Sequence, residues 1–401
     1  MVAYQRFVEL CQSGNSEERG QAAHLAAMAY LGHHGPADEQ AALYAALIGF
    51  LDDPSVKVRA ALAYGLLHAT DAPRPILLSL LQDSAIISRA LAQYSPALID
   101  ADLIGLVRTA ERSMLLAVTM RETLSARVAE ALVMRRDKTV TLRLLGRPDV
   151  PMSAALLAKL ADDEGGDADF RGALFARGDL PAAARLKLVD AVRSALTQAR
   201  IVKGAVAPKR LERLLRDITD TALTAIGERE AARAEPAYAA ELVGGDRIST
   251  RVMLHAIVNG HVLFFADCVA ELSESPRAKV FSILESGSRP ALNALLARCG
   301  LGEAVRNLIA RLVHLARSAD LADDVAARHF VVTALTEELI VEHDGVIPPA
   351  LEDAFSYLGD QNVTLARNAA RGVMSGFAGE AAEGRYLPAP QAPERLALPA
   401  A

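Results

Sequence analysis

Leu51-Asp-Asp-Pro-Ser-Val-Lys-Val-Arg-Ala60 is the stretch on which the reading of the fold turns. Asp53 stands where an N-cap is needed, its carboxylate suited to accept from the first free N–H groups of a helix. Pro54 follows at the first helical position, where a missing N–H costs nothing. Val56, Ala60, Ala63 and Leu67 then recur at helical spacing and predict one buried stripe. Thirty residues later Leu81, Asp83, Ile86, Arg89 and Ala90 repeat the spacing of Leu51, Asp53, Val56, Arg59 and Ala60. Leu358, Asp360, Val363 and Arg367 form a third, imperfect copy in which the arginine slips by one residue. Recurrence at a period of roughly 20–50 residues marks a solenoid, in which each helical pair buries its apolar face only against the next.

Composition points the same way. The chain has 401 residues, 77 of them Ala, with 4% aromatics and no Trp. Ala is the best helix former, while the aromatic residues that sheets favour are scarce. One core stops growing at about 250–300 residues, so the chain must divide into units or stack in repeats. Proline and glycine breaks fall between helical segments throughout, and no alternating run of strand length competes. The expected fold is all-α, a solenoid of short antiparallel helix pairs without significant β-sheet.

At Asp53 to Arg59 the chain resembles a HEAT-type repeat, with its Asp-Pro-x-Val-x-x-x-Arg-like turn. The resemblance implies that Asp53, Arg59, Asp83 and Arg89 link each repeat to its neighbour. A second resemblance covers Pro75 through Leu160, including Gln82-Asp83-Ser84, Ser95-Pro96-Ala97-Leu98-Ile99, Arg121-Glu-Thr-Leu-Ser125 and Asp137-Lys-Thr-Val140, and returns over Arg251 to Gly302. These segments resemble an uncharacterised bacterial family of HEAT-like proteins, a domain of unknown function. Gly146 departs from it, standing where that family would favour a polar residue. The expected organisation is HEAT-like repeats over 1–200, a linker at Arg200 to Pro208, a C-terminal helical-repeat region over 206–376, and a disordered Pro/Ala-rich tail over 377–401.

Several function classes fall away. Cys11, Cys268 and Cys299 have no CxxC spacing and leave an odd thiol, which speaks against a disulfide framework and for a reducing, cytoplasmic setting. Arg6 and Glu9 interrupt any apolar signal region at the N-terminus. The most apolar stretch, Met253 to Leu272, carries His255, Asn259, His261 and Asp267, too many polar groups for a membrane span. Iron-binding HEAT enzymes resembling the deoxyhypusine hydroxylases use His-Glu dipeptides, and none of the nine histidines here precedes Glu. Glu342-His343-Asp344 points its side chains in three directions at a helix end. A helix would set Cys268 about 10 Å beyond His261, too far for a base to activate the thiol. No phosphate-binding glycine loop or nucleophile elbow occurs. The sequence thus predicts no catalytic residue, no metal site and no cofactor.

Charge is the remaining signal. Residues 108–147 hold nine basic and four acidic groups, and residues 193–216 hold seven basic groups against Glu212 alone. Arg135, Arg136, Lys138, Arg143 and Arg147 form one candidate recognition patch. Lys209, Arg213 and Arg216 form another, on one face of a helix opposite Leu211, Leu214, Leu215 and Ile218. Such stripes could meet phosphates, as in HEAT-like DNA glycosylases, but no Phe, Tyr or Trp lies between Tyr94 and Phe170 or within 193–216 to stack a base. The expected role is a protein-interaction scaffold without catalysis that presents a concave solenoid surface to a protein partner, with nucleic-acid binding as the alternative and a chromophore-handling repeat enzyme, resembling the phycobilin lyases, as a third.

Overall fold

The computed structural model describes residues 2–233, 237–319, 321 and 323–382, and among them every regular element is a helix. The chain divides into two compact units, Met1–Ala191 and Val192–Ala401. Unit 1 contains α1 (Val2–Gln12), α2 (Ser16–Leu31), α3 (Ala37–Leu51), α4 (Val56–Leu66), α5 (Arg74–Leu80), α6 (Ala85–Tyr94), α7 (Asp100–Thr109), α8 (Arg112–Thr119), α9 (Ala126–Val133), α10 (Lys138–Leu145), α11 (Ala154–Glu164), α12 (Ala168–Ala176) and the first part of α13 (Ala182–Gln198). Even-numbered helices pack in succession, α2 on α4, α4 on α6, α6 on α8, α8 on α10 and α10 on α12. This is the nearest-neighbour stacking that a thirty-residue repeat demands. One continuous apolar core runs through it from Leu10 to Leu188.

The quoted segment folds with a shifted phase. α4 begins only at Val56, with Pro54 outside it and Ser55 as its N-cap. Asp53 therefore closes the turn, its Oδ1 accepting the Ser55 N–H at 2.8 Å. The buried face is Val58, Leu62, Ala63, Leu66 and Leu67, so Ala63 and Leu67 of the predicted stripe are buried and Ala60 is half-buried, whereas Val56 is 43% exposed and Ile86, its equivalent in α6, is 71% exposed. Both stripes are apolar at helical spacing, so pattern alone could not choose between them. The choice is made by α2, which approaches where Ala22, Ala23, Ala26 and Ala27 are buried. A Cβ at Gly65 would stand 2.6 Å from that of Ala27, so only glycine admits this approach.

Two polar ladders bind the even helices. At their N-terminal ends a cation on one helix meets the aspartate that opens the next. Arg19 binds Asp53 through both carboxylate oxygens at 2.7 and 3.1 Å, and Arg59 binds Asp83 at 2.5 and 2.9 Å. Arg112 binds Asp137 at 2.5 Å, and Lys138 binds Asp167 at 2.6 Å. Asp137 and Asp167 also cap α10 and α12. The α6–α8 step lacks this rung. Arg89 instead donates to the Ala85 carbonyl of its own helix at 2.8 Å, and α8 opens on Glu111, whose side chain makes no capping bond. Hydrogen bonds from these cations hold Asp53, Asp83, Asp137 and Asp167 below the usual carboxylate range. Their contribution is present above the unfolded pKa of about 3.9 and is lost as pH falls through the lower folded value.

At the C-terminal ends, arginines donate to the free carbonyls of the preceding even helix. Arg121 reaches Ala92 O at 2.7 Å and Ser95 O at 2.8 Å beyond α6. Arg147 reaches Thr119 O, Arg121 O and Glu122 O beyond α8 at 2.8, 2.5 and 3.1 Å. Arg177 reaches Arg147 O and Val150 O beyond α10, both at 3.0 Å. A helix end leaves four carbonyls without partners and carries partial negative charge, so a buried guanidinium there is compensated twice over. Arg121 is only 7% exposed and Arg177 only 2%.

Unit 2 holds the rest of α13, then α14 (Arg200–Ala205), α15 (Pro208–Ala232), α16 (Ala237–Gly244), α17 (Thr250–Val258), α18 (Val262–Ser273), α19 (Arg277–Ser286), α20 (Arg289–Arg298), α21 (Glu303–Ala316), α22 (Val325–Glu342) and α23 (Pro349–Ala382). Its arrangement is centred rather than serial: α17 and α18 pack on each other, α15 touches both, and α16, α19 and α20 pack on α18 while α21 and α23 pack on α17. The most apolar stretch of the chain is therefore this buried hairpin, and among the described residues no helix is long and apolar enough to cross a membrane. A Cβ at Gly227 would lie 2.1 Å from the Phe264 ring, so glycine is what lets α15 seat against α18.

The division of the chain falls within α13, and the stretch expected as a linker forms α14 and the turn into α15. The third repeat copy is corrected: Leu358, Asp360, Val363 and Arg367 all lie inside the continuous α23, so the spacing recurs there without a turn. Helix α23 also carries the first residues of the expected tail, through Ala382; residues 383–401 lie outside the described residues. Arg121→Ala should destabilise unit 1 by about 3 kcal/mol, since it strands two buried carbonyls. Arg143→Ala should change stability by no more than about 0.5 kcal/mol. Urea denaturation of both variants checks the contrast.

Candidate interaction surface

The first basic patch is largely spent within the protein. Arg135 donates to Arg108 O and, at 3.0 Å, to Ala110 O, closing the end of α7. Lys138 binds Asp167 and, at 2.9 Å, Asp169, with its ammonium 5.9 Å from the Phe170 ring centroid. Arg147 is the C-terminal rung described above. Arg136, in the left-handed region at φ 52°, lines a 550 Å³ groove with Lys138 and Lys159, but Asp163, Glu164 and Asp167 line it too. Of the five, Arg136 and Arg143 are exposed with no side-chain hydrogen bond or ion pair among the described residues. The linking quartet of the HEAT resemblance divides similarly: Asp53, Arg59 and Asp83 stand in the N-terminal ladder, and Arg89 does not.

The second patch sits on α15. Arg213 binds Asp360 of α23 at 3.1 Å, Arg216 approaches Glu212 at 3.6 Å, and Lys209 is exposed. Its supposed buried face is only partly buried. Leu215 is covered, but Leu214 is 44% and Ile218 49% exposed, and Ile201 on α14 reaches 83%.

A feature not legible as a site in the sequence emerges on the even helices of unit 1. The His24 and Tyr64 rings lie 5.7 Å apart, joining α2 to α4, and the His68 and Tyr94 rings lie 5.9 Å apart, joining the end of α4 to α6. Tyr64 lies in α4 and His68 in the turn just after it, so the row consists of two ring pairs, one stepping from α2 to α4 and one from the end of α4 to α6. Tyr64 is 68% and Tyr94 51% exposed, and Leu25, Met28 and Met120 of the neighbouring even-helix ends are exposed as well. Tyr64 and Tyr94 keep the thirty-residue period, and that common register was the available signal. Cations nearby are occupied, Lys57 by Glu17 at 3.4 Å and Arg59 by Asp83.

Polar groups of unit 2 form a network around the buried His255. The Thr221 hydroxyl donates to Asp217 O at 2.7 Å, leaving Oγ1 to accept from His255 Nε2 at 3.2 Å. Nδ1 then accepts from the Tyr357 hydroxyl at 3.0 Å. Arg251 binds Asp220 at 2.6 Å, also binds Asp217, and stacks 4.8 Å from the Tyr357 ring centroid. Burial, with His261 and Arg251 nearby, lowers His255 to about 4, so it is neutral and satisfied. Burial raises Asp217 and Asp220 despite Arg251. Cys268 is 1% exposed and its thiol is pushed far up by burial, which makes it inert. Glu342 is committed to Arg311 at 2.8 Å, and His343 is the C-cap of α22. Among the described residues no three His, Cys, Asp or Glu side chains gather as a metal site.

A family described as an uncharacterised protein conserved in bacteria (DUF2336) matches residues 87–341. The chain belongs to this family. The DUF2336 segment runs from within α6 to within α22, taking in the Arg121, Arg147 and Arg177 rungs and the α17–α18 hairpin. His24, Tyr64 and His68 precede it, and Tyr94 lies inside it. No curated protein and no solved structure matches the chain.

The neutral His255 makes unit 2 sensitive to acid. The unfolded histidine titrates near 6.5 and the folded one near 4, so below about pH 6.5 the unfolded state binds more protons and stability falls with pH. Asp217 and Asp220 act in the opposite sense just above pH 4, so the measurement is a difference. His255→Gln should be less stable than wild type at pH 7.5, and the gap should narrow by about 2 kcal/mol by pH 4.5. Urea titrations at the two pH values read it.

Proposed function

We propose that the protein is a non-enzymatic interaction scaffold whose first unit docks a protein partner along the even-helix face. The observation that carries this reading is the two exposed ring pairs on successive even helices, His24 with Tyr64 and His68 with Tyr94. Exposed large apolar side chains scattered singly are ordinary, but aligned across consecutive repeats they offer one contiguous surface. Tyr and Met are among the residue types enriched where proteins bind, and Tyr brings large contact area with little ordering cost. Stacked helices hold such a row rigidly, so a partner pays little to organise it.

Nucleic acid has less to grip. Rings can stack bases, but affinity for a phosphate backbone comes from cations. Near the row Lys57 and Arg59 are paired with carboxylates, and in the first basic segment Arg135 and Arg147 donate to backbone carbonyls. A cytoplasmic setting accords with the free thiols Cys11, Cys268 and Cys299.

Tagged full-length protein recovered from its own bacterium after nuclease treatment should bring down a stoichiometric protein. The double variant Tyr64→Ala/Tyr94→Ala should lose that protein by about tenfold or more while its helicity is unchanged. Recovery of nucleic acid, lost on nuclease treatment and indifferent to the double variant, would sink the reading.

A further inference from the structure

Unit 2 carries a second uncovered surface of different chemistry. On α15, Leu211, Leu214 and Ile218 stand at i, i+3 and i+7, the spacing of an interhelical seam. Leu214 and Ile218 are about half exposed, and the neighbouring Ile201 of α14 is 83% exposed. Beside this seam opens a groove of 460 Å³, lined by Val206, Pro208, Leu211 and Leu215 together with Arg193 and Lys203. Arg200, Lys203, Lys209 and Arg210 are exposed and have no ion pair or side-chain hydrogen bond among the described residues. Of the acids on this part of α15, Glu212 lies 3.6 Å from Arg216, and Asp217 and Asp220 are bound by Arg251.

We propose that α14 and the first half of α15 form a docking site for an acidic amphipathic helix of a partner protein. An apolar seam at helical spacing receives the anchors of a second helix, the leading one entering the groove. The unpaired cations around it then meet carboxylates on the flanks of that helix, which supplies steering and register more than raw affinity. A nucleic acid would satisfy the cations but leave the seam in water, and no aromatic ring lies within 193–216 to stack a base. A lipid surface would be expected to meet Trp or Tyr at the headgroup level, and the segment has neither. This surface is separate from the ring row of unit 1, and its test does not depend on that row.

Leu214 replaced by benzoylphenylalanine in the full-length chain, irradiated in the bacterium that makes it, tests the site. The expected product is one protein adduct that maps to an acidic segment with apolar residues at i, i+3 or i+4, and i+7. Lys203→Glu/Arg210→Glu should reduce the adduct about tenfold, and Tyr64→Ala/Tyr94→Ala should leave it unchanged. Exposed positions are altered throughout, so circular dichroism should match wild type. An adduct with lipid, nucleic acid or a second copy of the chain overturns the proposal. So does an adduct on a non-acidic segment, the same products from the probe placed at Lys279, or no adduct at all.

Discussion

Everything in unit 1 depends on how arginine satisfies the ends of stacked helices. Short helices are costly because each end leaves four backbone groups without partners, and a stack in which α4, α6, α8, α10 and α12 have eight to eleven residues multiplies such ends. Here the cost is met across the repeat boundary rather than within the helix. An aspartate at one N-terminus holds the cation of the helix before it, and an arginine past one C-terminus fills the carbonyls of the helix before it. The C-terminal rungs and those at Asp137 and Asp167 therefore do two things at once, satisfying a helix end and fixing the offset between neighbours, while Asp53 and Asp83 hold the turn before the helix. Alanine-rich faces and Gly65 let the helices come close enough for the rungs to reach.

The same economy decides what the surface can offer. A basic segment looks like a recognition patch when counted along the chain, yet Arg135, Lys138 and Arg147 are turned inward to neighbouring helix ends and aspartates. What remains outside is the row of rings on α2, α4 and α6, held by the ladders beneath it. In unit 2 the reverse holds. There α14 and α15 leave Lys203, Lys209 and Arg210 without carboxylates and Leu214 and Ile218 without cover, while the polar groups of α17 and α23 close on one another around His255.

Much of this was legible in order and illegible in phase. The recurrence from Leu51 and Asp53 to Leu81 and Asp83, with the wealth of Ala, determined an all-α chain of short stacked helices, because periodicity and helix-stop chemistry are local properties. The HEAT resemblance implied that Asp53, Arg59, Asp83 and Arg89 link repeats without naming pairs, and the structure pairs Arg59 with Asp83. Arg89 has the same sequence context, but its partner would have to come from α8, which opens on Glu111, and no local pattern carries that information. The apparent repeat at Asp360 shows the converse, a matching spacing that an unbroken helix absorbs.

By itself, then, the sequence determined the helical class, the thirty-residue register and the absence of a readable reactive constellation among its motifs. Only the tertiary structure decided which stripe of α4 is buried, which arginines are spent on backbone carbonyls, and that Tyr64 and Tyr94 join two histidines in one row. The physical reason is that periodicity fixes a helix but not its rotation, and a carbonyl at a helix end has no residue type. Both are settled by the neighbour that packs against them, tens of residues away.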